Sequence, residues 1–198
     1  MRSFYRICLV TVVLLVMACG GSKPARFYLL TSTNAKPDNT NHDVGVGIWR
    51  ITIPNYLERP QIVTYAGSNQ LTVAEFDRWG EQLEDNLVRV LAENLSRQIP
   101  TENVALFPWP ASTKITYRVS TEVLEFEQKP DGQVSLSARW VIYDESGDKA
   151  LIRNTFAQRK PSGQGSYHEI VAAMSQLLAA LSSDIADGIR GLSGTASN

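Results

Sequence analysis

Residues 115–158 read ITYRVSTEVLEFEQKPDGQVSLSARWVIYDESGDKALIRNTFAQ. This stretch decides the fold class. Ile115, Tyr117, Val119, Thr121 and Val123 alternate with polar positions, the period-2 pattern of a strand with one buried face. Leu124 and Phe126 then fall on the opposite parity, which predicts a bulge or a change of partner near Val123. Lys129-Pro130-Asp131-Gly132 is a turn, because proline presets φ and glycine accepts the left-handed region. Val134, Leu136, Ala138, Trp140 and Ile142 alternate again. Asp144-Glu145-Ser146-Gly147 turns the chain once more, and Leu151 to Gln158 is a third strand. Three consecutive strands joined by tight turns form an antiparallel meander.

The period changes on either side of the meander. Trp79, Leu83, Leu87, Leu91, Leu95 and Ile99 recur every four residues, which predicts a helix over 77–99 with Asp77 as cap and Pro100 as stop. Asp85, Arg89, Glu93 and Arg97 form its charged outer face. Ser166 to Glu169 has capping-box spacing. Ile170, Met174, Leu177, Leu178, Leu181, Ile185 and Ile189 follow as a second stripe, with Gly191 expected to end that helix. Upstream, strands are expected over 26–31, 44–53, 62–65 and 71–73, with a hairpin turn at 66–70 and a polar loop over 33–43. The sum is one α+β domain over 26–192. A mostly antiparallel sheet of about seven strands is covered by two long amphipathic helices, and residues 193–198 form a flexible tail.

The first residues have a different purpose. Arg2 and Arg6 precede Ile7 to Met17, an apolar run broken only by Thr11. That run is too short for a spanning helix, which needs about 20 residues, and suits an export signal. Val16-Met17-Ala18-Cys19 resembles the bacterial lipoprotein box. The resemblance implies cleavage after Ala18, a diacylglycerol on the Cys19 thiol and an N-acyl chain on the new terminus. Residues 1–18 are thus a signal peptide and 19–25 a lipid-anchored tether. Gly20 is not the aspartate associated with inner-membrane retention, so the expected location is the periplasmic face of the outer membrane of a Gram-negative cell.

The whole chain has 198 residues and a formal charge of −1. Loss of the signal removes two arginines and leaves 17 cations against 20 anions, a net −3. That balance argues against nucleic-acid binding. Cys8 leaves with the signal and Cys19 takes lipid, so the mature domain has no thiol for redox, metal or nucleophilic chemistry.

Other reactive groups are sparse. His168 is expected in the first turn of a helix, on the surface. His42 lies in a polar loop beside Asp43, and two adjacent ligands do not make a metal site. No phosphate loop, nucleophile elbow or His-Glu-x-x-His occurs. Glu122, Glu125 and Glu127 lie close together on one strand, and the simplest expectation is a solvated face. No metal site, catalytic residue or cofactor is expected, and the chain does not read as an enzyme.

The densest unusual cluster is Ile53-Pro54-Asn55-Tyr56-Leu57-Glu58-Arg59-Pro60-Gln61-Ile62-Val63, followed by Glu75-Phe76-Asp77-Arg78-Trp79. Two prolines stiffen the connection and present its side chains in a defined way. Tyr56, Leu57, Arg59 and Arg78 are the candidate partner or oligomer interface. For Tyr56 and Trp79 the competing reading is a place in the core, and for both arginines an ion pair with a carboxylate.

These two strings, with Leu83, Asn86-Leu87, Pro108-Trp109-Pro110, Ala138-Arg139-Trp140 and Ser166-Tyr167, resemble the PqiC family of transport auxiliary lipoproteins. Glu58 and Gly80-Glu81-Gln82 depart mildly from that pattern. The resemblance implies a non-enzymatic docking subunit of an MCE/ABC-type intermembrane lipid transport system. It also implies a homo-oligomeric ring and an MCE-domain partner of the PqiB type. The alternative is a periplasmic lipid carrier, which needs an apolar cavity of a few hundred Å³ for acyl chains.

Overall fold

The computed structural model describes residues 23–33, 44–99, 101, 103–163 and 166–195. The expected export signal, Cys19, His42 and the last three residues lie outside them. Among the described residues eight strands and two long helices are formed: β1 (Arg26–Tyr28), β2 (Val46–Thr52), β3 (Gln61–Tyr65), β4 (Leu71–Trp79), α1 (Leu83–Gln98), β5 (Val104–Leu106), β6 (Tyr117–Gln128), β7 (Gln133–Tyr143), β8 (Ala150–Pro161) and α2 (Tyr167–Thr195). A single 3₁₀ turn, Asn55–Leu57, joins β2 to β3.

The meander forms as its pattern requires. β6, β7 and β8 pair antiparallel in sequence order. The β6–β7 register shifts between Val123 and Glu125, where the parity changes. Gly132 and Gly147 occupy the two hairpin turns at φ 76° and 85°, a region that favours glycine.

The rest of the sheet is mostly parallel. β6 pairs in parallel with β2 over Tyr117 to Glu122 and with β3 at Gln128, so two partners succeed one another along one edge. β2 carries β5 in parallel. β3 carries β4 antiparallel, and β4 carries β1 in parallel. Four of the seven pairings are therefore parallel, so the sheet is mixed, while its two longest pairings, β6–β7 and β7–β8, are antiparallel. The added strand, β5, is only three residues long, below what alternation can reveal.

Both helices lie on one sheet face. Trp140 and Ile142 on β7 face α2, because a Cβ at Gly188 would lie 3.0 and 3.1 Å from their side chains. The Trp140 indole N–H donates to Asp184 of α2 at 2.8 Å. Asn94 of α1 donates to the Ser182 hydroxyl of α2 at 3.2 Å. Leu87, Leu91 and Leu95 are fully buried together with Leu178, Leu181 and Ile185. α2 is long and apolar enough to cross a membrane by composition, yet two-thirds of its most apolar window is packed inside this domain. Its apolar breadth follows from burial between α1 and the sheet.

Two helix boundaries differ from the expected ones. α1 starts at Leu83, not Asp77, because residues 77–79 are claimed by β1 and by the crossover before β3. Arg26, Phe27 and Tyr28 pair with Asp77, Arg78 and Trp79. The Trp79 N–H donates to the Pro60 carbonyl at 2.7 Å, and that of Gly80 to Tyr28 at 2.8 Å. Trp79 is buried as the stripe implied, but from a strand. Asp77 caps nothing. Its carboxylate accepts two hydrogen bonds from Arg26, both 2.7 Å, and one from Tyr28 at 2.8 Å. At the other end, α2 runs through Gly191 to Thr195. One glycine in a helix costs only about 1 kcal/mol, so the expected tail begins later.

Candidate functional site

Pro54 starts the connection between β2 and β3 in extended geometry, φ −61°. The chain then tightens through Leu57 N–H to Pro54 O at 2.8 Å and Arg59 N–H to Leu57 O at 2.8 Å. The turn points successive side chains in different directions. Leu57 enters the core and is 3% exposed. Tyr56 is half-buried, and its hydroxyl donates to Glu127 Oε2 at 2.8 Å. Arg59 is exposed beside Glu58 and Pro60.

Glu127 corrects the expectation of a solvated acidic face: it is fully buried. Besides Tyr56 it accepts from the Phe126 N–H at 2.8 Å. Lys129 Nζ lies 2.6 Å from its other oxygen and 3.2 Å from Glu125. Ser135 donates to Glu125 at 3.1 Å, and the Lys129 ammonium sits 4.3 Å from the Tyr65 ring centroid. A buried carboxylate is tolerated because its lone pairs are occupied and a cation faces it. Burial opposes the charge on Lys129, yet Glu127 and Glu125 together hold its pKa above the ordinary lysine value. Burial, then Glu127, raises the Tyr56 hydroxyl far above the ordinary tyrosine value. This network fixes the crossover to the β6–β7 turn.

The outer side of the crossover forms a cleft of about 520 Å³. Ile53, Trp79 and Leu83 make its apolar floor, and Glu58, Arg59, Pro60, Glu81, Gln82 and Glu84 its rim. Arg89 of α1 is held by Glu81 at 2.6 Å. Burial and the neighbouring carboxylates of Asp85 and Glu58 raise the pKa of Glu84. Of the four candidate interface residues, only Arg59 lines this cleft. Arg78 sits on β4 between Gln61 and Phe27, half-buried, with its Nε lacking a hydrogen-bond partner. Tyr56 and Leu57 position the turn from within.

A second cluster escaped the sequence reading. Arg118 pairs across the sheet with Tyr143, on the face away from the helices. Its guanidinium lies 5.8 Å from the Trp49 ring centroid and 5.6 Å from that of Trp109. Tyr143 meets Trp49 edge-on at 5.5 Å, and Phe107 meets Trp109 edge-on at 5.4 Å. Gly47 admits Trp109, since a Cβ there would lie 2.8 Å from the indole. Nothing in the local sequence joins positions 49, 109, 118 and 143; the pairings of β2 with β6, of β2 with β5 and of β6 with β7 do.

His168 is exposed, as expected of a surface residue. Among the described residues no group of His, Cys, Asp and Glu could hold a metal.

The model of the ABC-type transport auxiliary lipoprotein component family matches residues 28–186. This chain belongs to that family. The family is one of transport auxiliary lipoproteins and not of enzymes. Members in Escherichia coli K12 and Shigella flexneri, each named intermembrane transport lipoprotein PqiC, are 27% identical over 188 residues, covering 93% of this chain and 97% of theirs. The resemblance carried by the Tyr56–Val63 and Glu75–Trp79 strings is therefore borne out. Two crystal structures share the fold. One, of an uncharacterized protein, has a TM-score of 0.69 at 23% identity and covers 84% of this chain and 99% of its own. The other, from Xanthomonas campestris, has a TM-score of 0.72 at 16% identity and covers 86% and 99%.

Proposed function

We propose that this auxiliary lipoprotein is the outer-membrane-anchored docking subunit of an MCE/ABC-type intermembrane lipid transport system. Acyl chains on Cys19 hold it to the periplasmic face of the outer membrane. The domain assembles into a homo-oligomeric ring that receives an MCE-domain protein of the PqiB type. The observation that carries this reading is the match to intermembrane transport lipoproteins over 97% of their length. The site supports it, because the crossover is braced by Tyr56, Glu127 and Lys129 and leaves a charged cleft suited to contact rather than turnover. The acyl-carrier alternative gains nothing from that cleft, whose three rim glutamates repel an anionic headgroup.

The anchor is tested with Cys19→Ser in cells fed labelled palmitate. The wild-type chain should incorporate label and fractionate with the outer membrane. The variant should do neither, and normal fractionation of the variant would overturn the lipoprotein assignment. Docking is tested by capture of the MCE-domain partner from detergent extracts, which should survive His168→Ala.

A further inference from the structure

The domain has two unlike surfaces. On one side β8 is paired only with β7, so its outer edge carries unpaired main-chain groups. β8 is 12 residues long, about 40 Å at the usual strand rise. Its exposed charges are all positive: Arg153, Arg159 and Lys160. Arg159 has a distant carboxylate, Asp131 at 3.8 Å. On the other side of β6, where β2 ends and β3 begins, lies the cleft with Ile53, Trp79 and Leu83 as floor. Its rim has Glu58, Glu81 and Glu84 against Arg59, with Arg89 engaged by Glu81. Burial, with smaller contributions from Asp85 and Glu58, disfavours the charged form of Glu84.

One molecule thus presents a basic strand edge at β8 and, beyond β7 and β6, an acidic, apolar-floored notch at the β2–β3 crossover. From this charge complementarity we infer that the β8 edge of one copy docks on the Glu58/Glu84 notch of the next. The two patches differ, so the contact is head-to-tail, and a head-to-tail contact closes into a ring when its rotation permits. Complementary charge sets register and excludes wrong pairings more than it adds affinity. The inference rests on the oligomeric reading above and names its surfaces. The competing role for the basic residues is to blunt a bare strand edge.

Complementary charge reversal separates these outcomes. One full-length, detergent-solubilised variant carries Arg153→Glu and Lys160→Glu, and a second carries Glu58→Lys and Glu84→Lys. All four positions are exposed, and an unchanged circular dichroism melt confirms each fold. Mass photometry should show that each variant alone dissociates at a concentration at least about tenfold above wild type, since like charges are juxtaposed. Their equimolar mixture should recover the wild-type mass, because each then meets an opposite charge at both surfaces. Where a reversed variant melts early, alanines at the same positions should give a smaller loss in the same direction. Full assembly of both variants alone, or a mixture that stays dissociated, would overturn the docking surfaces while leaving the ring reading intact. A wild-type chain that is monomeric throughout would overturn that reading, and the docking surfaces with it.

Discussion

The meander β6–β7–β8 and the outboard strands β1–β5 belong to one sheet but are specified in different ways. In the meander every partner is the next strand in sequence, joined by turns that carry their own chemistry at Gly132 and Gly147. Among the outboard strands only β3–β4 is a hairpin. β1 finds β4 about 50 residues away, and β2 finds β6 about 70 residues away. Local pairing is prepaid by short loops, whereas distant pairing must be held by tertiary contacts. Those contacts include polar side chains: Glu127 of the meander with Tyr56 of the crossover, Asn86 of α1 with Leu30, and Asp77 of β4 with Arg26 and Tyr28 of β1.

The strongest way to break the comparison is at Lys129. Lys129→Met leaves the Glu127 carboxylate fully buried opposite an apolar chain. We expect a loss of about 3 kcal/mol in urea unfolding, the scale for breaking a buried pair. Removing both charges, as Lys129→Met with Glu127→Gln, should recover part of that loss, because the amide oxygen can still accept from Tyr56 and Phe126. A double variant no better than the single would mean that the crossover is held by something other than this pair.

A smaller effect should separate β1 from the helices. Asn86 is buried on α1, and its side-chain oxygen accepts from the Leu30 N–H at 2.7 Å. Asn86→Ala orphans that donor, at about 2 kcal/mol. Amide exchange should rise in β1 and β4 and stay unchanged in β7. Equal loosening of the meander would erase the distinction between the two regions.

The smallest effect concerns acid. Asp77 lies below the ordinary carboxylate range, chiefly through the hydrogen bond from Arg26, with Tyr28 adding to it and burial opposing. A depressed folded pKa contributes stability above the unfolded value of about 3.9. That contribution is lost as pH falls through the unfolded and then the folded value. Wild type and Asp77→Asn should therefore differ in Tm at pH 6 and converge toward pH 3. Arg26 is 65% exposed, so solvent screens the pair and the gap should stay under about 1 kcal/mol. A gap that widens in acid would contradict the assigned sign.

The legible part of the molecule follows from periodicity. The parity change at Val123 disclosed both a bulge and a change of partner, because side chains cannot keep one face once the register slips. The leucine stripe located α1 but misplaced its start, since Trp79 satisfies a helical period by coincidence and is retained by β1 and Pro60. The candidate site was only partly legible. Pro54 and Pro60 marked a stiff crossover, but nothing in the sequence said that Leu57 points inward and Arg59 outward. Glu127 looked like one of three surface acids, because the partners that make its burial affordable come from position 56 and from the turn beyond it.

The sequence by itself determined the α+β class, the three-stranded meander with its turns, and the two helical stripes. Each of these is written in contacts between near neighbours. Only the tertiary structure decided that β2 and β3 share one edge of β6, that Glu127 is buried, and that Arg118 is stacked between Trp49 and Trp109. Those outcomes depend on parallel pairings across long loops, whose energy appears only when distant segments meet.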